Sequence, residues 1–234
     1  DGMQNSATDP SHWQAGATCK HFVANSMEHT TEVGVTHDRA EFDANVSMQD
    51  LVSDYLVPFQ SCIEKVQGSG LMCSYNAVNG VPSCANKWLM NDIARVEWGG
   101  MQSPIYITSD CTADLDVYQQ HNYTKTPEEA VAAILKAGQD INCGGYMAAH
   151  IQSAIQQGLA SVDDLDTALR HTLGVRLRLG HFDPPGPLQS IQESVICDPA
   201  AIELARDGAA QGMVLLKNTP GQAMLPLNAA TVGN

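Results

Sequence analysis

The chain has 234 residues, 44% of them hydrophobic, and carries 26 acidic against 12 basic side chains for a formal charge of −14. A pI near 4.7 and the lack of any Lys/Arg run exclude the basic face that nucleic acid or an anionic membrane surface requires. No apolar run approaches the roughly 20 residues that span a bilayer, and the even spread of apolar residues excludes disorder. The length fits one large α/β domain or two small ones. The chain opens on Asp1 with no initiator Met and no basic-then-apolar leader, so it reads as a processed chain or an internal fragment.

In chain order, residues 17–23 are short, apolar and β-compatible, a first strand. Phe42, Val46, Val52, Leu56, Phe59, Ile63 and Val66 recur at steps near three and four, which predicts a long amphipathic helix. Gly68-Ser69-Gly70 stops it, and 71–75 reads as a second strand. Asn79-Gly80-Val81-Pro82 is turn chemistry. Residues 88–96 are a helix ended by Gly99-Gly100, and 105–108 a third strand running into Ser109-Asp110. Thr126 as N-cap, Pro127 at N1 and Glu129 at N3 start a helix that reaches Ala137-Gly138. Asp140-Ile141-Asn142 is a brief fourth strand, and 146–157 is helical. Ser161 and Asp164 cap a last helix that runs through Leu179 and stops at Gly180. Strand and helix alternate four times, the pattern of a parallel α/β sheet or barrel.

The register changes at Asp183-Pro184-Pro185-Gly186-Pro187, which cannot continue a helix and reads as a domain linker. Beyond it, 199–211 is a helix, 213–216 a buried strand and Leu225-Pro226-Leu227 the end of a turn. One helix and one strand cannot make a domain, so a second domain is expected to begin here and not to finish.

The seven cysteines are Cys19, Cys62, Cys73, Cys84, Cys111, Cys143 and Cys197. None forms the close pairs that zinc favours, so disulfides in an oxidising compartment are the better reading. Two sequons agree, Asn45-Val46-Ser47 and Asn122-Tyr123-Thr124, which makes Asn45 and Asn122 the expected glycosylation sites. An odd count leaves at least one cysteine unpaired within the chain. The protein is expected to be secreted and extracellular, or vacuolar-lumenal.

In a barrel of βα units, function collects where strands end, on the C-terminal face. The polar residues there are Lys20-His21, Tyr75-Asn76 and Ser109-Asp110. A carboxylate, a cation, an imidazole and a phenol at one mouth suit a polyhydroxylated ligand. Singly, each has a plainer reading: Asp110 as a helix cap or ion-pair partner, Lys20 as a solvated charge, His21 as a hydrogen-bonded core residue.

Taken together, these segments resemble glycoside hydrolase family 3, most closely its β-xylosidase branch. The resemblance is carried by Cys19-Lys20-His21-Phe22, by Arg39 with Phe42-Asp43-Ala44, and by the specific run from Met72 to Asn86. Ser109-Asp110-Cys111, Val214-Leu215-Leu216-Lys217-Asn218 and Leu225-Pro226-Leu227 follow in order. It implies an α/β fold: 1–182 as the C-terminal part of a (β/α)8 barrel, 183–196 as linker, and 197–234 as the first helix and strand of an α/β sandwich domain. It implies a retaining glycosidase with Asp110 as catalytic nucleophile, and Lys20, His21, Arg39, Tyr75 and Cys111 as substrate-binding positions. Neighbouring residues on a regular strand face opposite ways, so bringing both Lys20 and His21 to one pocket predicts a strained or cis non-proline peptide beside them.

The resemblance further implies the pairs Cys73–Cys84, Cys111–Cys143 and Cys19–Cys62, with Cys197 left over. A bridge at Cys111 would fill space near the sugar C5 and favour pentosides such as β-D-xylosides. The second carboxylate that a retaining mechanism needs would come from beyond this chain, and the early barrel strands would precede Asp1. As in-chain substitutes, Glu28, Glu32, Glu41, Asp114 and Asp116 read instead as helix caps and solvated loops. The histidines at 29, 37, 150, 171 and 181 show no ligand spacing, so no metal and no cofactor are expected. Expected partners are a carbohydrate, a xylo-oligosaccharide or aryl or alkyl glycoside, and the remainder of the enzyme or a complementary chain; neither nucleic acid nor membrane is expected. Two alternatives stay open: a β-glucosidase or α-L-arabinofuranosidase of the same family, and a truncated chain that binds sugar or associates without catalysis.

Overall fold

The computed structural model describes residues 3–5, 9–32, 35–99, 105–186, 191–219 and 225–227, the side chains of 30 and 32–37 excepted. Gly100, Pro187 and the side chains of Glu32 and His37 lie outside the described set. The chain divides into two units, Asp1–Asp183 and Pro184–Asn234.

The first unit is built on parallel strands in chain order. β1 (Thr18–Phe22), β5 (Gly70–Cys73) and β8 (Tyr106–Ser109) are neighbours in the sheet, and Ile141 extends it by a parallel bridge to Thr108. Helices cross between them, so this is α/β architecture. Leu71 and Ile107 are wholly buried in the sheet, and Val131 and Ile134 pack the same core. Gly70 pairs with Tyr106; a Cβ at Gly70 would lie 2.9 Å from the phenol ring, so only glycine permits that approach.

Between β1 and β5 lie β2 (His29–Glu32) and β3 (Val35–Asp38), an antiparallel hairpin, and then β4 (Asp43–Ala44). β4 pairs with β6 (Ala77–Val78), which turns through Asn79-Gly80 into β7 (Val81–Pro82). Both turn residues have positive φ, 50° and 84°, as a tight hairpin with right-handed strand twist demands.

The helical run α1 covers 48–65, with α turns at Met48–Asp50 and Val57–Gln60 and wider π turns at Leu51–Tyr55 and Ser61–Lys65. It begins later than its apolar spacing predicts. Ser47 Oγ accepts from Asp50 N at 3.1 Å and starts the helix there, while Phe42 and Val46 flank β4. Helix α2 (Trp88–Glu97) is wound as π turns.

Helix α3 (Ala113–Gln119) follows β8 directly. Helix α4 (Pro127–Ala137) starts as its residues predict, with Thr126 Oγ1 accepting from Glu129 N, and ends on Gly138 at φ 103°. α5 is Tyr146–Gln156, and α6 is Val162–Arg178 behind a full Ser161/Asp164 capping box. Neither the β2–β3 hairpin nor α3 was predicted.

The second unit contains α7 (Pro199–Gly212), capped by Asp198 Oδ1 accepting from Ala201 N at 2.7 Å. Residues 213–216 correct an expectation: they form no strand, and each is at least 64% exposed. A strand needs a neighbour for its backbone groups, and the described residues of this unit contain none. Further on, the Asn218 side chain exchanges two hydrogen bonds with the Leu225 backbone.

Candidate active site

The site is assembled where β1, β5 and β8 end. Asp110 is the first residue past β8, and its N–H donates to Cys73 O at the end of β5 (3.1 Å). Its side chain is 15% exposed. Tyr75, two residues beyond β5, donates its hydroxyl to Asp110 Oδ1 at 3.2 Å and to Cys111 O at 2.9 Å. The Cys111 N–H also reaches Asp110 Oδ1, at 2.8 Å. On the other carboxylate oxygen, Oδ2, His21 Nε2 approaches to 3.2 Å.

His21 gets there from an irregular β1. Its pairing with β5 shifts between Cys19 and Phe22, and the peptide bonds Lys20–His21 and Phe22–Val23 are cis. Lys20 is exposed. With His21, Asn25, Asp54, Tyr55 and Phe59 it lines an open pocket of about 530 Å³.

Arg39 arrives from the end of the β2–β3 hairpin. Its guanidinium lies over the Tyr75 ring, 4.3 Å from the centroid, and pairs with Glu28 Oε2 at 3.1 Å. Burial works against its charge, but Tyr75, Glu28 and Asp110 outweigh that and hold Arg39 more firmly protonated than usual. Tyr75 is pushed up, first by burial and then by the Asp110 charge, so its hydroxyl stays a hydrogen-bond donor. Four of the residues singled out from sequence, His21, Arg39, Tyr75 and Asp110, thus form one connected set. Lys20 stands beside it on the pocket wall, and Cys111 continues it along the backbone.

Disulfides join Cys19 to Cys62, Cys73 to Cys84 and Cys111 to Cys143; Cys197 is a free, exposed thiol. The third ties the residue after Asp110 to the segment following Ile141. Asn45 and Asn122 are both exposed. Among the described residues no three His, Cys, Asp or Glu side chains gather as a metal site.

Two acids correct the sequence reading. Asp114 and Asp116 lie on α3 and are buried, 0% and 6% exposed, rather than capping or solvated. Burial pushes Asp114 up to about 7 and Asp116 to about 6. They were misread because α3 itself was not predicted, and nothing local marks which face of ADLDVYQ turns inward. Glu28 lies on the solvated side as expected but also pairs with Arg39, 11 residues away. His121, whose Nε2 donates to Tyr75 O at 2.8 Å, was missed because that contact spans 46 residues.

The description "Glycosyl hydrolase family 3 N terminal domain" matches residues 1–175. The chain belongs to glycosyl hydrolase family 3. Its fold is the TIM-like barrel architecture of that family 3 domain. Among curated relatives, the probable beta-D-xylosidase 7 of Arabidopsis thaliana is 44% identical over 237 residues, covering all of this chain and 30% of the relative. The probable exo-1,4-beta-xylosidase bxlB of Aspergillus clavatus is 44% identical over 98% of this chain and 29% of its own length. Among solved family 3 structures, an exo-beta-xylosidase in complex with a xylobiose aziridine probe superposes with a TM-score of 0.83 at 31% identity. It covers 94% of this chain and 28% of that one. A beta-glucosidase from Listeria innocua in complex with glucose gives 0.73 at 27% identity, over 91% of this chain and 28% of that one. The chain therefore spans under a third of the family 3 relatives it matches.

Proposed function

We propose that this chain supplies the nucleophile and part of the sugar-binding site of an exo-acting, retaining β-D-xylosidase. The observation that carries the reading is Asp110 at the mouth of the sheet, with one carboxylate oxygen held by Tyr75 and the Cys111 N–H and the other facing His21. Two donors on Oδ1 fix the carboxylate's rotamer, which leaves Oδ2 to attack the anomeric carbon of the terminal sugar. The new C–O bond displaces the leaving oxygen, which takes a proton from a second carboxylic acid. Water then attacks the same carbon, gives its proton to that second group, and releases Asp110. The second carboxyl, about 5–5.5 Å from the first in a retaining site, is assigned to protein outside these 234 residues.

His21, Arg39 and Lys20 are the groups placed to hold sugar hydroxyls, and the Cys111–Cys143 bridge crowds the side where a hexose would carry its hydroxymethyl group. That favours a pentoside, as the names of the curated relatives do. The natural ligand is a xylo-oligosaccharide or a simple β-xyloside. The three disulfides and the exposed Asn45 and Asn122 sequons support secretion with glycosylation at both. Residues 183–196 link the barrel to the start of a second domain at 197–234.

The test is made in the protein that bears this chain. Asp110→Ala lowers turnover of an aryl β-D-xyloside about 10³-fold or more. Added azide restores bond cleavage and yields a glycosyl azide of inverted anomeric configuration, because the small anion enters where the carboxylate stood. Turnover that survives the substitution overturns the assignment. A higher kcat/KM on the aryl β-glucoside than on the xyloside overturns the pentoside reading alone.

A further inference from the structure

One helical turn along the chain from Asp110 lies a carboxyl that the proposed chemistry does not use. Asp114 is fully buried on the first turn of α3, four residues after the nucleophile. Its Oδ2 accepts from Gln139 Nε2 at 2.9 Å and from Asn142 Nδ2 at 2.6 Å. Gln139 is itself fully buried, and its amide also donates to Ile141 O at 3.2 Å.

Both donors belong to segment 139–143, and that segment grips the Asp110 turn at every step. Ile141 O accepts from Ser109 N at 3.0 Å, and Cys143 N donates to Ser109 Oγ at 2.9 Å. Cys143 O accepts from Thr112 N at 3.1 Å, and the Cys143 sulfur is bonded to Cys111. Between Asp110 and Asp114 the backbone passes through Thr112 at φ 73°. A β-branched residue holds that left-handed conformation only when its surroundings impose it.

We propose that Asp114 is a positioning residue for Asp110: through Gln139 and Asn142 it locks segment 139–143, and that segment holds the strained turn which aims the nucleophile. This rests on reading Asp110 as the nucleophile. A buried carboxyl is costly wherever an apolar side chain would serve, and here its single oxygen joins two amides from a different loop. Either protonation state offers that oxygen as an acceptor, so the role belongs to the acceptor and not to the charge.

The test compares two variants in the protein that bears this chain, each verified as folded by circular dichroism and thermal melting. Asp114→Leu fills the space and strands both amides; Asp114→Asn keeps the acceptor oxygen. Asp114→Leu lowers kcat on an aryl β-xyloside about 10–100-fold while KM stays within about twofold, because a misaimed nucleophile slows the chemical step more than it weakens binding. Asp114→Asn recovers most of that loss. Parental kcat in Asp114→Leu, a loss confined to KM, or an asparagine variant no better than leucine overturns the proposal. Where Asp114→Leu does not fold, Asn142→Ala takes its place, with a kcat loss of about three- to tenfold expected and parental kcat overturning. Asp110→Ala separates the two ideas. If it is inactive while Asp114→Leu is not impaired, only the positioning role fails; if it is active, the reading of the site fails first.

Discussion

Asp110 and Asp114 lie four residues apart, yet one faces solvent and the other is fully buried. Asp110 meets donors on both oxygens, from Tyr75, Cys111 N and His21, at the edge of solvent. Asp114 and Asp116 lie inside, where lost hydration favours the neutral acid. Asp116 is raised further by Asp38 and partly relieved by Arg39. This gives a stability prediction with a definite sign. A carboxyl whose folded pKa is raised binds its proton more tightly in the native state, so its contribution is full below about 3.8 and is lost as pH climbs through about 7 for Asp114. The ceiling is roughly 4 kcal/mol for the whole rise. Asp114→Asn removes that titration. Urea unfolding at pH 4 and pH 8 is expected to show the variant gaining on the parent at the higher pH, and an offset equal at both would contradict it. Asp116 and Tyr146, the latter pushed to about 12 chiefly by burial, are the other titratable groups coupled to Asp114, and both are retained in the variant.

Among the elements, those set by local chemistry are the ones legible in the sequence. α4 and α6 announce their first turns through Thr126, Pro127 and Ser161, and α4 its end through Gly138, because caps act within four residues. The β2–β3 hairpin has no apolar alternation to betray it, and α3 is a short polar-looking stretch whose acids turn inward. A buried link between elements is equally silent in sequence. Arg95 on α2 and Asp140 before the Ile141 bridge form an ion pair, 2% and 1% exposed, with Asp140 also accepting from Ile107 N at 2.7 Å and from His171 Nδ1 at 2.8 Å. Arg95 Nη1 donates to Ile105 O at 3.1 Å, so one guanidinium ties α2 to both ends of the sheet's last connection. Asp140→Ala leaves that cation buried and unpaired and is expected to cost about 3–5 kcal/mol in urea unfolding. Arg95→Met with Asp140→Leu should cost less than the single change. A single substitution worth under 1 kcal/mol would show that the pair does not tie these elements.

For the molecule as a whole, three cross-links close loops of 43, 11 and 32 residues, a loop-entropy contribution of about 3–4 kcal/mol each. Of the seven cysteines in this chain, native, unreduced protein is therefore expected to label only Cys197, and denatured, reduced protein all seven. Mass spectrometry after alkylation checks this, and label on Cys111 or Cys143 before reduction would contradict the bridge beside Asp110. The length that first reads as one comfortable α/β domain is under a third of the curated relatives' length, and the apolar side chains of Leu204 and Leu216 stand in the open.

Sequence alone determined the class of fold, the capped helices, the Asn79-Gly80 turn and the polar residues at strand ends, since each is written in contacts a few residues long or in a motif. Only the tertiary structure decided which polar residues are buried and which meet: Glu28 with Arg39, His121 with Tyr75, Arg95 with Asp140, and Asp114 with Gln139 and Asn142. The physical reason is the same in each case. Burial and hydrogen bonding are properties of a closed three-dimensional neighbourhood, and an aspartate four residues from a nucleophile looks no different on paper whether water or Gln139 is beside it.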